Sequence, residues 1–484
     1  MEALKMVIDL FGPTVFVPVV VFILSLCMKV EANKAFRGAL YMGIGLTAFN
    51  IILGGLMGSL GPIVTEMVQN TGVNLPAIDI GWPAASVICY SNQMGLFFIP
   101  FGLIFNLILF ATKWTDSFQP TDIWNYYHFV FWAAIVQLVT GSFWLGILCG
   151  MLLDLILLLM ADWIAPSMQE YYGYEGVVST CYCSVNSVPF TILIKWCLKK
   201  LKLDRINLKP SQVREKFGFW GEPVTMGLLI GLAVSLIAKW QFLGELESWA
   251  TILKTAITTG AVMAIYPSVS GLFVKGLIPI TQTLNARMRS GQMTRKNMYI
   301  AIDPAVFFGE EATIATGLVL IPIMLAFAVF TPGNMVLPLA DLPAIPFAVI
   351  GIVTVMQGNV FGAVIAGALW IGLGFMCNSE ILEVFTTAAM NVNAIPESAG
   401  SAMVTSFLVG NNIIGWLAYK AFTASETIRI FTIGIAFAIY FVTYYFFQRN
   451  RKAWQMAAGA SEEYFAQKEA LWRQMEEMKA ANKS

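Results

Sequence analysis

Residues 127–164 read YHFVFWAAIVQLVTGSFWLGIL from Tyr127 to Leu148 and CGMLLDLILLLMADWI from Cys149 to Ile164. Each run reads as a helix crossing a bilayer, whose hydrocarbon core takes about 20 mostly apolar residues. Similar runs lie on both sides. Before it come Phe11 to Met28, Gly38 to Gly58 and Met94 to Thr112. After it come Val224 to Lys239, Leu253 to Ile280, Thr316 to Phe330, Pro346 to Met376, Met403 to Ala418 and Ile430 to Phe447. The sum is roughly eleven crossings. The expected fold class is an all-α polytopic membrane protein with re-entrant hairpins.

Composition supports that reading. Of 484 residues, 58% are apolar and 12% charged, against about 45–50% and about 25% in soluble domains. Mean hydropathy is +0.72. So few charges cannot cover a soluble surface, which leaves a surface facing lipid. The net charge is zero and the basic residues are confined to a few loops, so nothing resembles a nucleic-acid footprint. The 7 cysteines form neither a disulfide framework nor a zinc spacing; the Cys181-x-Cys183 pair reads as small residues packing in a membrane segment rather than as a ligand pair. No GxxxxGK[ST] phosphate loop occurs, no cofactor is implied, and the absence of a basic n-region and cleavage site makes the first apolar run a retained helix.

The breaks carry more information than the spans. Ile78 to Val87, Gly176 to Pro189, Asp303 to Thr313 and Gly351 to Gly362 are too short or too polar to cross as plain helices. Non-helical backbone survives at membrane depth only where protein buries it or where it lines an aqueous cavity, and repeated interruptions point to a transporter's binding site.

Lys and Arg cluster between Lys195 and Lys216, at Lys29, Lys34 and Arg37, from Arg287 to Lys296, and from Arg449 to Lys452. All four fall in the cytoplasm if the N-terminus is periplasmic and the C-terminus cytoplasmic. The chain thus divides into a membrane-embedded part, 1–448, and a tail, 449–484. In the tail Glu462, Glu463, Lys468 and Arg473 alternate with Phe465, Leu471 and Trp472 at helical spacing, which predicts an amphipathic helix outside the bilayer. It either docks a partner or is simply solvated.

Polar residues beside the breaks are the candidate ligand contacts, because ionisable groups at membrane depth are costly. Asp79, Trp82 and Gln93 form the first group; Trp82 is either a platform for the apolar face of a sugar or an interfacial aromatic. Asp122, Asn125 and His128 follow on one segment. His128 is the chain's only histidine and either bonds a substrate hydroxyl or is a satisfied structural group, while Asp122 suits a helix cap. Ser184 and Asn186 suit a re-entrant hairpin. Glu222 and Thr225 flank Pro223, and Glu222 is either a ligand acceptor or a helix N-terminal charge. Asp303, Glu310 and Glu311 either hold substrate hydroxyls or, for the two glutamates, sit as N-terminal charges at a membrane surface.

Several long motifs in order give a family resemblance: DIGWP from Asp79, DIWNYYH from Asp122, TGS from Thr140, KFGFWGEPVT from Lys216, IDPAVFFG from Ile302 and PGNMVLPLADL from Pro332. The chain resembles the IIC subunit of galactitol-type phosphotransferase permeases, relatives of the ascorbate permeases, over nearly its whole length. It departs from the pattern at Thr180-Cys181-Tyr182, in place of Pro-His-Gly, and at Gly309-Glu310-Glu311, in place of Gly-His-Thr. The motifs therefore fix the family and leave the sugar open. The resemblance implies a homodimer with a core domain that moves past a dimerisation scaffold. It also implies phosphoryl transfer by a separate phospho-IIB chain supplied through IIA. The competing reading is an ion-coupled secondary transporter of a small polar solute, with Asp303, Glu310 or Glu311 coupling to the ion. A membrane-embedded enzyme has little support, since no HExxH cluster or serine elbow is present.

Overall fold

The computed structural model describes residues 29–71, 75–119, 123–289, 297–395 and 402–481, with Arg295 and scattered positions between 15 and 27. Half of the run Phe11 to Met28 lies outside the described residues, and so does Asp122. Among the described residues seven helices are long and apolar enough to cross a membrane, and three shorter apolar helices accompany them. The chain is an all-α polytopic membrane protein.

The spans are divided differently from the reading of the apolar runs. One 30-residue helix, Phe143–Tyr172, starts within the first of the two opening runs, and Ile123–Thr140 precedes it. The turn between them is at Gly141, whose φ of +68° lies in the left-handed region that glycine enters without a steric penalty. Pro346 to Met376 is likewise two helices, Ile345–Met356 and Val360–Glu380. Gln357 and Gly358, at φ +52° and +75°, make the break. Met403 to Ala418 is not one crossing: it holds a strand, a four-residue helix Phe407–Gly410 and the start of Ile413–Phe422. Hydropathy averages over such turns because one or two residues reverse the chain without changing the mean.

Two small parallel sheets lie inside this helical body. One has the order β5-β1-β6, from Val336–Leu337, Ala77–Asp79 and Met403–Thr405; the other has the order β2-β4-β3, from Ser117–Phe118, Tyr299–Ile302 and Val177–Ser179. Asp79 sits opposite Thr405, and Ile302 opposite Ser179. Most of the strands lead into a short helix and then a longer one. Pairing supplies the hydrogen bonds that unwound backbone cannot obtain from lipid.

The strand orders expose an internal repeat. The first half contributes β1, β2 and β3, and the second β4, β5 and β6. Exchanging β1 with β4, β2 with β5 and β3 with β6 turns one sheet order into the other. Each sheet therefore joins the leading strand of one half to the two trailing strands of the other, so neither half completes a sheet alone. Ala77-Ile78-Asp79 and Ala301-Ile302-Asp303 are the sequence trace of this repeat.

Three helices form a separate bundle: Ala32–Thr71, Pro223–Lys239 and Leu246–Arg289 pack on one another. Small residues allow the approach. A Cβ on Gly38 would stand 2.7 Å from the carbonyl oxygen of Gly276, and one on Gly227 2.8 Å from that of Thr259, as in membrane helix interfaces generally. Lys239 and Glu66 form an ion pair of 2.5 Å across this bundle. The tail packs back on the body. Trp163 Nε1 donates to the Trp454 carbonyl, Arg451 pairs with Asp116 at 2.6 Å, and Lys468 donates to the Tyr299 hydroxyl. Tyr464 donates to Gln169 at 2.8 Å; burial pushes its phenol up to about 12, so the donor keeps its proton near neutral pH.

Candidate functional site

Broken backbone from both halves meets at one cavity. The Ala32–Thr71 helix supplies Leu46, Phe49 and Asn50, and the hairpin after β1 supplies Trp82. Tyr127 and His128 come from Ile123–Thr140, and Cys181 and Cys183 from the hairpin after β3. Asp303, Pro304 and Ala305 follow β4; Phe347 and Leu408 close the wall. The space is a cleft that opens to the outside, and with its open mouth included it measures about 600 Å³.

The lining is mostly apolar and aromatic, with few polar groups. Tyr127 and His128 lie with ring centroids 4.0 Å apart and their planes inclined by 35°, and Trp82 lies 6.3 Å from Tyr127. Asp303 is 7% exposed. Its Oδ1 accepts the Ala305 N–H at 2.7 Å, which turns the chain into the Ala305–Phe308 helix and fixes the carboxylate at the cavity wall. Asn50 and His128 supply further polar atoms there.

Asp79 lies at the matching place in the other half and does something else. Its Oδ1 accepts N–H groups of Gly81 and Phe407, both at 3.0 Å; its Oδ2 accepts those of Leu339 and Asp341, at 3.1 and 2.7 Å. Asp341 continues the knot: it accepts from Trp82 N, Leu408 N and the Ser406 hydroxyl. Gly81 has φ +87°, and a Cβ there would meet Ala340 at 3.2 Å, so this turn needs glycine. The two aspartates tie three hairpins together and set the positions of Trp82 and Leu408 in the wall.

Of the residues singled out in the sequence, the cavity brings together Trp82, His128 and Asp303. Asp79 lies behind the wall. Ser184 donates to the Phe347 carbonyl at 2.9 Å, and Asn186 accepts from Trp370 Nε1 at 3.2 Å; both hold hairpins in place. Asn125 is buried on the His128 helix without lining the cavity. Gln93 is the exposed first residue of its helix. Glu222 is exposed at the start of Pro223–Lys239, and Thr225 is buried in that helix. Glu310 caps Glu311–Phe330, accepting from Ala312 N, Thr313 N and the Tyr171 hydroxyl, with half-buried Glu311 beside it. Asn50, Tyr127 and the two cysteines were not among the expected contacts. Tyr127 stands in the DIWNYYH motif, Cys181 stands where the family pattern has histidine, and the CxC pair reads from sequence as packing.

Short strands, interrupted helices and a cavity where two structural repeats meet define a membrane transport protein. The family model for the sugar-specific permease component of the phosphotransferase (PTS) system matches residues 7–400. The PTS galactitol-specific EIIC component of Escherichia coli K12 is 30% identical over 434 residues, covering 90% of this chain and 93% of that protein; the O157:H7 protein of the same name matches equally. A putative permease IIC component of E. coli K12 is 30% identical over 429 residues, covering 88% and 94%. The chain belongs to the family of PTS sugar-specific permease components, multi-pass proteins of the inner membrane. As in that family, it is the permease subunit, and phosphoryl transfer belongs to separate IIA and IIB proteins.

Proposed function

We propose that this subunit binds a galactitol-like polyol in the cavity between Trp82, His128 and Asp303 and presents it to phospho-IIB at the cytoplasmic face. The observation that carries this reading is the cavity itself. A carboxylate, an imidazole and an Asn amide stand beside the aromatic faces of Trp82 and Tyr127, which suits a chain bearing hydroxyls along one side and C–H groups along the other. Asp303 accepts hydroxyl hydrogens, and hydrogen bonds to a charged group contribute about 1.5–3 kcal/mol each.

The movement is of the elevator kind. One wall, Leu46, Phe49 and Asn50, belongs to the three-helix bundle, and most of the rest belongs to the hairpin body. Sliding the hairpin body past the bundle would carry Asp303 and His128 with their ligand. The bundle serves as the scaffold of a homodimer, with exposed Phe36, Ile51 and Ile257 available to lipid or a second copy. The N-terminus is periplasmic and the C-terminus cytoplasmic, which puts the four basic clusters on one side.

The test is accumulation of radiolabelled galactitol by cells carrying this chain with its cognate IIA and IIB, with IIB either intact or lacking its phosphorylated cysteine. Label recovered as a phosphate ester only with intact IIB is the expected result. Unmodified label accumulating in both strains would instead establish an ion-coupled carrier.

A further inference from the structure

The cavity wall also sets two thiols against His128, and polyol binding gives those thiols no role. Cys181 caps the Tyr182–Val185 turn and Cys183 is its second residue. This places both thiols on one side of the hairpin, with Sγ atoms 3.1 Å apart. His128 reaches them from the Ile123–Thr140 helix, and a ring nitrogen and the two sulfurs all lie within 4.8 Å of one another. The three residues are 2%, 3% and 6% exposed. His128 Nδ1 is buried with no hydrogen-bond partner, an expensive state for a polar atom. Packing of small residues, the reading of the CxC pair from sequence, explains the buried sulfurs. It does not explain why the chain's one imidazole is set within 4.8 Å of both sulfurs.

We propose that His128, Cys181 and Cys183 form a binding site for a zinc-class cation in the cavity wall, with one coordination position open to the cavity. Two sulfurs and an imidazole are a borderline-soft donor set that suits Zn²⁺. Tetrahedral zinc, with Zn–S of about 2.3 Å and Zn–N of about 2.0–2.1 Å, spaces its ligands roughly 3.5–3.8 Å apart, so side-chain adjustments of about 1 Å complete the set. Charge balance favours the same ion. Binding releases the two thiol protons, and two thiolates, a neutral imidazole and a divalent cation sum to zero, which avoids leaving net charge in an apolar wall. Three protein ligands leave a fourth position for water or a hydroxyl of the bound solute. The two thiols and the histidine come from different hairpin and helix elements, so the metal would also tie them together. The site stands whether or not galactitol is the solute.

The full chain, reduced, stripped with chelator and held in nanodiscs, is titrated with Co²⁺ and then Zn²⁺. The expected result is stoichiometric Co²⁺ uptake with a sulfur-to-cobalt charge-transfer band that Zn²⁺ displaces. Cys181→Ser and Cys183→Ser each weaken the band, and the double variant loses it. His128→Ala weakens Zn²⁺ binding by at least the roughly 10-fold that loss of even an outer-shell partner costs. Absence of the band in protein whose thiols still react with a thiol reagent would overturn the proposal, as would unchanged binding in the double cysteine variant. If the variants do not fold, X-ray absorption on Zn²⁺-loaded wild-type chain decides: sulfur scatterers at about 2.3 Å support the site, and a shell of oxygen and nitrogen alone excludes it.

Discussion

The hairpins after β1 and β4 start from the same three residues, Ala-Ile-Asp, and end in opposite roles. Asp79 spends both oxygens on four backbone N–H groups from three hairpins. Asp303 spends one oxygen on Ala305 N and lines the cavity. The difference comes from their neighbours. The β5 and β6 hairpins crowd Asp79 with amides that need an acceptor, whereas β4 delivers Asp303 to the cavity wall. A repeated fold thus places the same carboxylate twice, once as a brace and once at a cavity wall.

Breaking the brace should have the largest effect. Asp79→Ala leaves four N–H groups without their acceptor, three of them buried, at about 1–3 kcal/mol for each buried one. The expected outcome is loss of monodisperse protein in detergent size-exclusion and a collapsed melting transition. A variant that folds normally would mean that the knot is dispensable and the contrast between the two aspartates is false. Asp303→Asn should do the reverse: melting little changed, and solute affinity lower by roughly 10–100-fold, equivalent to about 1.5–3 kcal/mol. Binding isotherms with galactitol and related hexitols check it; unchanged affinity for a transported solute removes Asp303 from the site.

The smallest effect sharpens the comparison from a third position. Asp154 is 1% exposed inside the Phe143–Tyr172 helix, and neither oxygen has a hydrogen-bond partner. It braces nothing and lines no part of the cavity. Replacing an unpaired buried carboxyl by a neutral side chain removes a desolvation cost. Asp154→Asn should therefore melt within about 1 kcal/mol of wild type, or higher, with transport retained. A large loss of transport in folded Asp154→Asn protein would show that this carboxyl has a role in the transport cycle.

Three residues of the candidate cavity were legible in the sequence for one reason: polar residues beside helix breaks are rare in a chain this apolar. That logic reached Trp82, His128 and Asp303. It also selected Asp79, Ser184, Asn186 and Glu310, because a residue that braces a hairpin and one that faces a solute are both polar, near a break and buried. The strands escaped notice because two to four residues are too few to show the alternation that marks a strand. The repeat was present as AID at 77–79 and 301–303, three letters that stand out only once the two hairpins are superposed in thought.

The amino-acid order alone determined that this is a polytopic membrane protein with interrupted helices, since hydropathy and Gly/Pro breaks are local properties that need no partner. Its motifs determined the family. Only the tertiary structure decided which polar groups face the cavity, because that depends on strands exchanged between the halves and on amides arriving from more than 250 residues away, as Leu339, Asp341 and Phe407 do at Asp79. The same holds for His128 beside Cys181 and Cys183. No spacing rule links a helix to a distant hairpin until folding puts them against one wall.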